Sequence, residues 1–103
     1  MMLLPKFQPI RDRKYLDWVR TQRCIVTGRA DVEPAHLRLL GAGGVGVKPG
    51  DDLVLPLHHE LHRRQSSEGE GAVWLWCANE YPEFYFRLLQ FRAKALYQMW
   101  SAP

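Results

Sequence analysis

The chain opens with an apolar stretch, "LLPKFQPI", that proline interrupts twice. Pro5 and Pro9 fix their own φ and push the residues before them toward extended backbone, so an extended arm is expected. The period then changes in "RDRKYLDWVRTQR". Tyr15, Leu16 and Val19 fall at i, i+1 and i+4, and basic residues fill the opposite face. Asp12 stands where it can cap the first turn, so a helix is predicted. "CIVTGRADVEPAHLRLL" reads as strand, turn, strand, with apolar-rich "CIV" and "HLRLL" on either side of a Thr27-Gly28 turn signal. A glycine-dense loop, "GAGGVGVKPGDD", follows and ends in Pro49-Gly50. "DDLVLPL" is the next strand.

A helix is predicted from near Leu57 toward Ser66, ended by the glycines of "SSEGEG". "AVWLWCANE" and "PEFYFRLLQFRAKALYQMW" read as two more helices, with Pro82 suited to the first turn of the last. Phe84, Leu88, Phe91 and Leu96 make a near-helical apolar stripe with Arg87, Arg92 and Lys94 between them. That stripe is expected to pack into the core. The expected fold class is α+β. A hairpin with a long glycine loop leads straight into a histidine-bearing helix, a ββα unit over about 24–67. An N-terminal helix and a helical tail over about 70–100 flank it.

Composition narrows the function classes. A length of 103 residues points to one domain, able to bury a modest core without disulfides. A hydrophobic content of 47% excludes a disordered polymer. The net charge of +3 allows a nucleic-acid partner without requiring one. Cys24 and Cys77 form no CxxC pair, so a cysteine zinc knuckle within the chain is excluded. A disulfide between them stays open, while two isolated cysteines equally suit a reduced cytosol. The short N-terminal apolar run has no signal-type continuation, and no window is long and apolar enough to span a bilayer. A cytoplasmic location without a membrane partner is expected. The glycine loop opens no helix with GxGxxG and carries no GK[ST], which removes the dinucleotide and P-loop readings.

The histidines are the remaining chemistry. His58, His59 and His62 fall within about one helical turn, and His36 sits upstream in "VEPAHLRLL". On a helix, Leu57 and Leu61 form an apolar face that packs on the hairpin, with the histidines on its flank. Either His58/His62 at i,i+4 or His59/His62 at i,i+3 could chelate one ion, and geometry slightly favours the first pair. The plainer alternative is that they are solvated polar residues. His36 on the first hairpin strand can face the helix across a cleft. Asp51 or Asp52 could ligate an ion or orient the His36 ring. Arg38, Arg63 and Arg64 are candidate phosphate contacts.

The segments "CIVTGRADVEPAHLR", "GAGGVGVKPGDD" and "LVLPLHHELHRRQ" together resemble the HNH, or ββα-metal (His-Me finger), endonucleases. Within that family the pattern looks most like the small phage and prophage nucleases related to the recombination-promoting nuclease Ref. The resemblance covers roughly residues 8 to 80. It matches Ala35-His36 to the family's "AH" and implies that His36 is the general base. Gly44, Gly46, Lys48, Pro49 and Asp51 match a "GxGxKPxD" loop, which adds Lys48 to the nucleic-acid contacts. Pro56-Leu57 and His62 match a "PL" pair leading into a metal-binding helix. Asp52 is the position closest to the asparagine that orients the base.

This chain departs from the pattern at four places. Thr27 stands at the second cysteine of a knuckle that begins at Cys24. His58 stands where a further cysteine follows "PL". Ser66 stands where a histidine would continue the helix, and Ala35 replaces the aspartate of the commoner "DH" version. The resemblance implies a DNA endonuclease that hydrolyses phosphodiester bonds with Mg²⁺, Mn²⁺ or Zn²⁺ held by His62 with His58 or His59, and with Asp52 as a candidate further ligand. A second reading is a degenerate, non-catalytic HNH-like nucleic-acid-binding module. A third is a zinc-stabilised interaction domain, which needs four closed ligands.

Overall fold

In the computed structural model, residues 9–38, 49–81 and 89–103 are described. The first helix, α1 (Arg13–Val19), starts where the pattern places it. The Asp12 carboxylate accepts the Tyr15 N–H at 3.1 Å and so satisfies one of the open donors of the first turn. Tyr15 and Val19 are fully buried, while Arg13, Lys14 and Arg20 point to solvent.

Two antiparallel strands follow, β1 (Val32–His36) and β2 (Val54–His58). Their register sets Val32 opposite His58, Ala35 opposite Leu55 and His36 opposite Val54. Pro34 lies opposite Pro56, so neither strand can donate a bond there. A two-stranded ladder tolerates this because each strand is also an edge. All five residues of β2 are buried, because both faces of the hairpin are covered. Leu55 and Leu57 join Leu61, Val73, Cys77 and Leu89 in one core. Val54 faces the other way, onto Tyr15 and Val19.

After the hairpin come α2 (His59–Glu68), α3 (Glu70–Glu80) and α4 (Leu89–Ser101). Gly69, at φ +95°, separates α2 from α3. It takes a backbone conformation that side chains disfavour, so the chain turns there and does not run on as one helix. The architecture is α+β, with a two-stranded antiparallel sheet packed among helices. No helix among the described residues is long and apolar enough to cross a membrane.

Several boundaries differ from the pattern-based reading. "CIV" is a turn and not a strand. Gly28, at φ +74°, donates its N–H to the Cys24 carbonyl, and the Ile25 N–H bonds to the Pro56 carbonyl. The first strand ends at His36, so Leu37 and Arg38 lie outside it, and Leu39 and Leu40 fall outside the described residues. "DDL" forms a 3-10 turn (Asp51–Leu53) ahead of β2, anchored by the Asp51 N–H on the Ile10 carbonyl. The histidine helix begins at His59 and not near Leu57, because Leu57 is still paired with Glu33 in the sheet. On α4 the buried positions are Leu89 and Ala93. Phe91, expected in the core, is 73% exposed. Leu96 is half-buried, whereas Pro82, Phe84, Arg87 and Leu88 lie outside the described residues. Cys24 and Cys77 are both buried free thiols.

Candidate functional site

The strand end, the 3-10 turn and α2 converge on His36. As the last residue of β1, His36 projects beside the turn that carries Asp51. Its Nε2 lies 2.8 Å from Asp51 Oδ1. The Asp51 carboxylate is almost completely buried, at 4% exposure, and its other oxygen accepts the Asp12 N–H at 2.8 Å. Arg11 stands 3.8 Å away. Burial alone would push this carboxyl up. The hydrogen bonds from His36 and the Asp12 N–H, with the positive charges nearby, outweigh it and hold Asp51 below the ordinary carboxylate value. A carboxylate at Nε2 selects the tautomer that carries its proton there, which leaves the ring's lone pair on Nδ1.

The helix α2 runs back over the hairpin toward this pair. Gln65 donates to the His36 carbonyl at 3.1 Å. One turn earlier, His62 Nδ1 lies 2.7 Å from Glu33 Oε1, which tethers the helix to β1. This second pair is open to water, with 31% of the His62 side chain and 51% of the Glu33 side chain exposed. The Glu33 carboxyl is held low, chiefly by the His62 hydrogen bond. Between the two histidines lies a cleft of about 470 Å³. Its lining includes His36, His62, Arg38, Gln65, Ser66 and Glu70. Glu70 closes one end. It is buried, with one carboxylate oxygen on the Arg38 N–H at 2.8 Å and the other on the Trp74 indole N–H at 3.0 Å. Both its oxygens have donors, so Glu70 fixes where β1 leaves the sheet.

The other expected site residues fall elsewhere. His58 is not on the helix. It ends β2, is buried, and its Nδ1 accepts the Glu60 N–H, which makes it the N-cap of α2. It lies four residues along β2 from the position opposite His36, roughly 13 Å at the rise of a strand. The His59 ring lies against that of His58, centroids 4.3 Å apart and planes tilted by 34°. Neither residue lines the cleft. The i,i+4 geometry that favoured His58/His62 fails because His58 has strand backbone. Asp51, and not Asp52, contacts His36. Asp52 sits against Gly50, where an added Cβ would come within 2.5 Å of its Oδ1, and its charge acts on Tyr15 and Tyr97.

Among the basic residues, Arg38 lines the cleft and Arg63 is exposed on α2. Arg64 is engaged, paired with Glu68 at 2.6 Å and lying 4.5 Å above the Trp76 ring. Lys48 lies outside the described residues. Ser66 lines the cleft and returns its hydroxyl to the His62 carbonyl. Among the described residues, no three histidine, cysteine or carboxylate side chains come together as a metal cage.

The position of Cys24 relates to the missing knuckle. Burial pushes its thiol up, but N–H groups of Thr27, Val26 and His58 directed at the sulfur, together with the Thr27 side chain, bring it below the usual value. Thr27, where the HNH resemblance would expect a second cysteine, directs its backbone N–H at this sulfur. Burial and the nearby Cys24 push Cys77 up to about 11. Glu33, Gln65 and Glu70 were not singled out from sequence. The only signal for Glu33 is a charged side chain in an otherwise apolar strand, and Glu70 resembles any loop charge in "SSEGEG".

A family model described as "Protein of unknown function (DUF968)" matches residues 1–72, which include His36, Asp51, His62 and Glu70. An uncharacterized protein of Escherichia coli (strain K12), YdfU, is 45% identical over 65 residues, which cover 59% of this chain. The matched part spans only 19% of that relative's length. No solved structure matches. With well over half its length inside the family model, the chain belongs to the DUF968 family.

Proposed function

We propose that the chain is a DNA endonuclease of the HNH type, hydrolysing phosphodiester bonds in the cleft between β1 and α2. One observation carries the reading: a histidine held by a buried carboxylate, His36 on Asp51, lines the same cleft as His62 and Arg38. The Nδ1 lone pair of His36 takes a proton from water as its oxygen attacks phosphorus; the bond from phosphorus to the leaving sugar oxygen breaks, and that oxygen takes a proton from solvent. Asp51 keeps the ring oriented and stabilises the imidazolium that forms. Arg38 holds a phosphate oxygen by charge and hydrogen bonding.

The divalent ion implied by the HNH resemblance would supply stabilisation of charge on the phosphate. His62 is the residue suited to hold it, because Glu33 at Nδ1 leaves Nε2 as the ligating nitrogen. The described side chains do not form a closed cage, so phosphate and water oxygens would complete the coordination. His58 is removed from the ligand set by its capping role.

The same lack of a cage favours the second reading, a non-catalytic nucleic-acid-binding module. Incubation with supercoiled and single-stranded DNA in Mg²⁺ or Mn²⁺ separates the two. Cleavage that disappears in His36→Ala supports the enzyme. Retained binding without cleavage in either metal leaves the module.

A further inference from the structure

The carboxylate behind His36 is itself held by residues far along the chain. Asp12, the N-cap of α1, joins three elements. Its Oδ1 accepts the Tyr15 N–H at 3.1 Å, and its Oδ2 accepts the Tyr97 hydroxyl of α4 at 3.1 Å. Its own backbone N–H donates to Asp51 Oδ2 at 2.8 Å. Asp51 Oδ1 is then the atom that meets His36 Nε2. Tyr97 is fixed in turn. Its ring meets Tyr15 edge-on, with centroids 4.7 Å apart at 89°, and α4 packs on the Asp51–Leu53 turn. Burial, the Asp12 hydrogen bond and the surrounding carboxylates push the Tyr97 phenol up, so it remains a donor.

We infer that Asp12 and Tyr97 are positioning residues for the candidate base, and that α4 thereby forms part of the site although it lies beyond the family match at residues 1–72. The inference rests on the reading of His36 as the acid–base group, but the geometry it concerns can be measured without any substrate. With two acceptor atoms, Asp51 can hold His36 in one orientation only if its second oxygen is anchored. That anchor is the Asp12 N–H, and the Asp12 side chain holds this N–H in place by tying α1 to α4. When Tyr97 lets go, the cap loosens, the carboxylate gains rotational freedom and the His36 tautomer loses its definition.

The test uses the full chain, with histidine-ring ¹⁵N NMR on wild type, Tyr97→Phe, Asp12→Ala and the double variant. Tyr97→Phe keeps the ring packing and deletes one donor. The ratio of Nε2–H to Nδ1–H tautomer at His36 is expected to fall about two- to tenfold, the range one net hydrogen bond commands. The double variant is expected to fall no further than Asp12→Ala, since both act through one anchor. The His62 ring, paired separately with Glu33, is the internal control and is expected to stay unchanged. A His36 ring unaffected by Tyr97→Phe, or His36 and His62 shifting together as in general loosening, overturns the inference. If wild type cleaves DNA, Tyr97→Phe lowers kcat with KM unchanged. If wild type does not cleave, the nuclease reading fails, and the NMR result still decides whether α4 positions His36.

Discussion

The two histidine–carboxylate pairs of the cleft look alike in distance and differ in setting. His36 and Asp51 are 2.8 Å apart, and His62 and Glu33 are 2.7 Å apart. Asp51 is buried with both oxygens occupied, whereas half of the Glu33 side chain faces water. Equal length therefore does not mean equal energy. A buried carboxylate stripped of solvent depends on its partners. An exposed one can exchange a partner for water at little cost. The buried pair holds one geometry, which suits the base proposed for His36. The open pair leaves its histidine accessible, which suits the ion ligand proposed for His62.

The sharpest way to break the comparison is to remove each histidine and measure DNA cleavage. His36→Ala is expected to lower the rate by about 10²- to 10⁴-fold, the usual worth of a general base. Next in size is stability. Asp51→Ala leaves the His36 and Asp12 N–H groups facing a hole, and is expected to cost about 3 kcal/mol in urea unfolding. Wild-type midpoints for Asp51→Ala would remove the distinction between the pairs.

The pH dependence comes third. The Asp51 carboxyl is held below its ordinary value of 3.8, so the stability it contributes is full above that pH and is lost as pH falls through its lower folded value. Wild type is therefore expected to lose more stability on acidification below about pH 4 than Asp51→Asn, read from chemical unfolding at each pH. The smallest effect belongs to the open pair. Glu33→Gln is expected to cost less than about 1 kcal/mol, and the difference should shrink in high salt, where exposed charges are screened. A large, salt-independent loss would show that the second pair also behaves as buried.

What could be read from the sequence follows the range of the interactions involved. The Asp12 cap and the Tyr15/Val19 stripe of α1 depend on neighbours three and four residues away, and they were legible. That His36 could face the histidine helix across a cleft was legible from the order strand, strand, helix; the cleft it lines also holds His62. His58 was misplaced because helical spacing continued through a residue that the sheet claims. Its pairing with Val32 keeps it in β2, and its imidazole caps the helix it was expected to join. Glu33 and His62 are 29 residues apart, and Tyr97 and Asp12 are 85 apart. No local pattern encodes such contacts. Phe91 misled for a related reason: the stripe is periodic, but the face that α4 buries is set by the 3-10 turn and β2 beneath it, which select Leu89 and Ala93.

Plasmid cleavage titrated with Mn²⁺ tests the division of labour between the two histidines most directly. If His36 is the base and His62 holds the ion, His36→Ala stays inactive at every Mn²⁺ concentration. His62→Ala recovers part of its activity as Mn²⁺ rises, with the half-saturating concentration moved upward at least about tenfold, as loss of one ligand entails. Cleavage by His36→Ala at the wild-type rate, or identical titration curves for His62→Ala and wild type, would contradict the account.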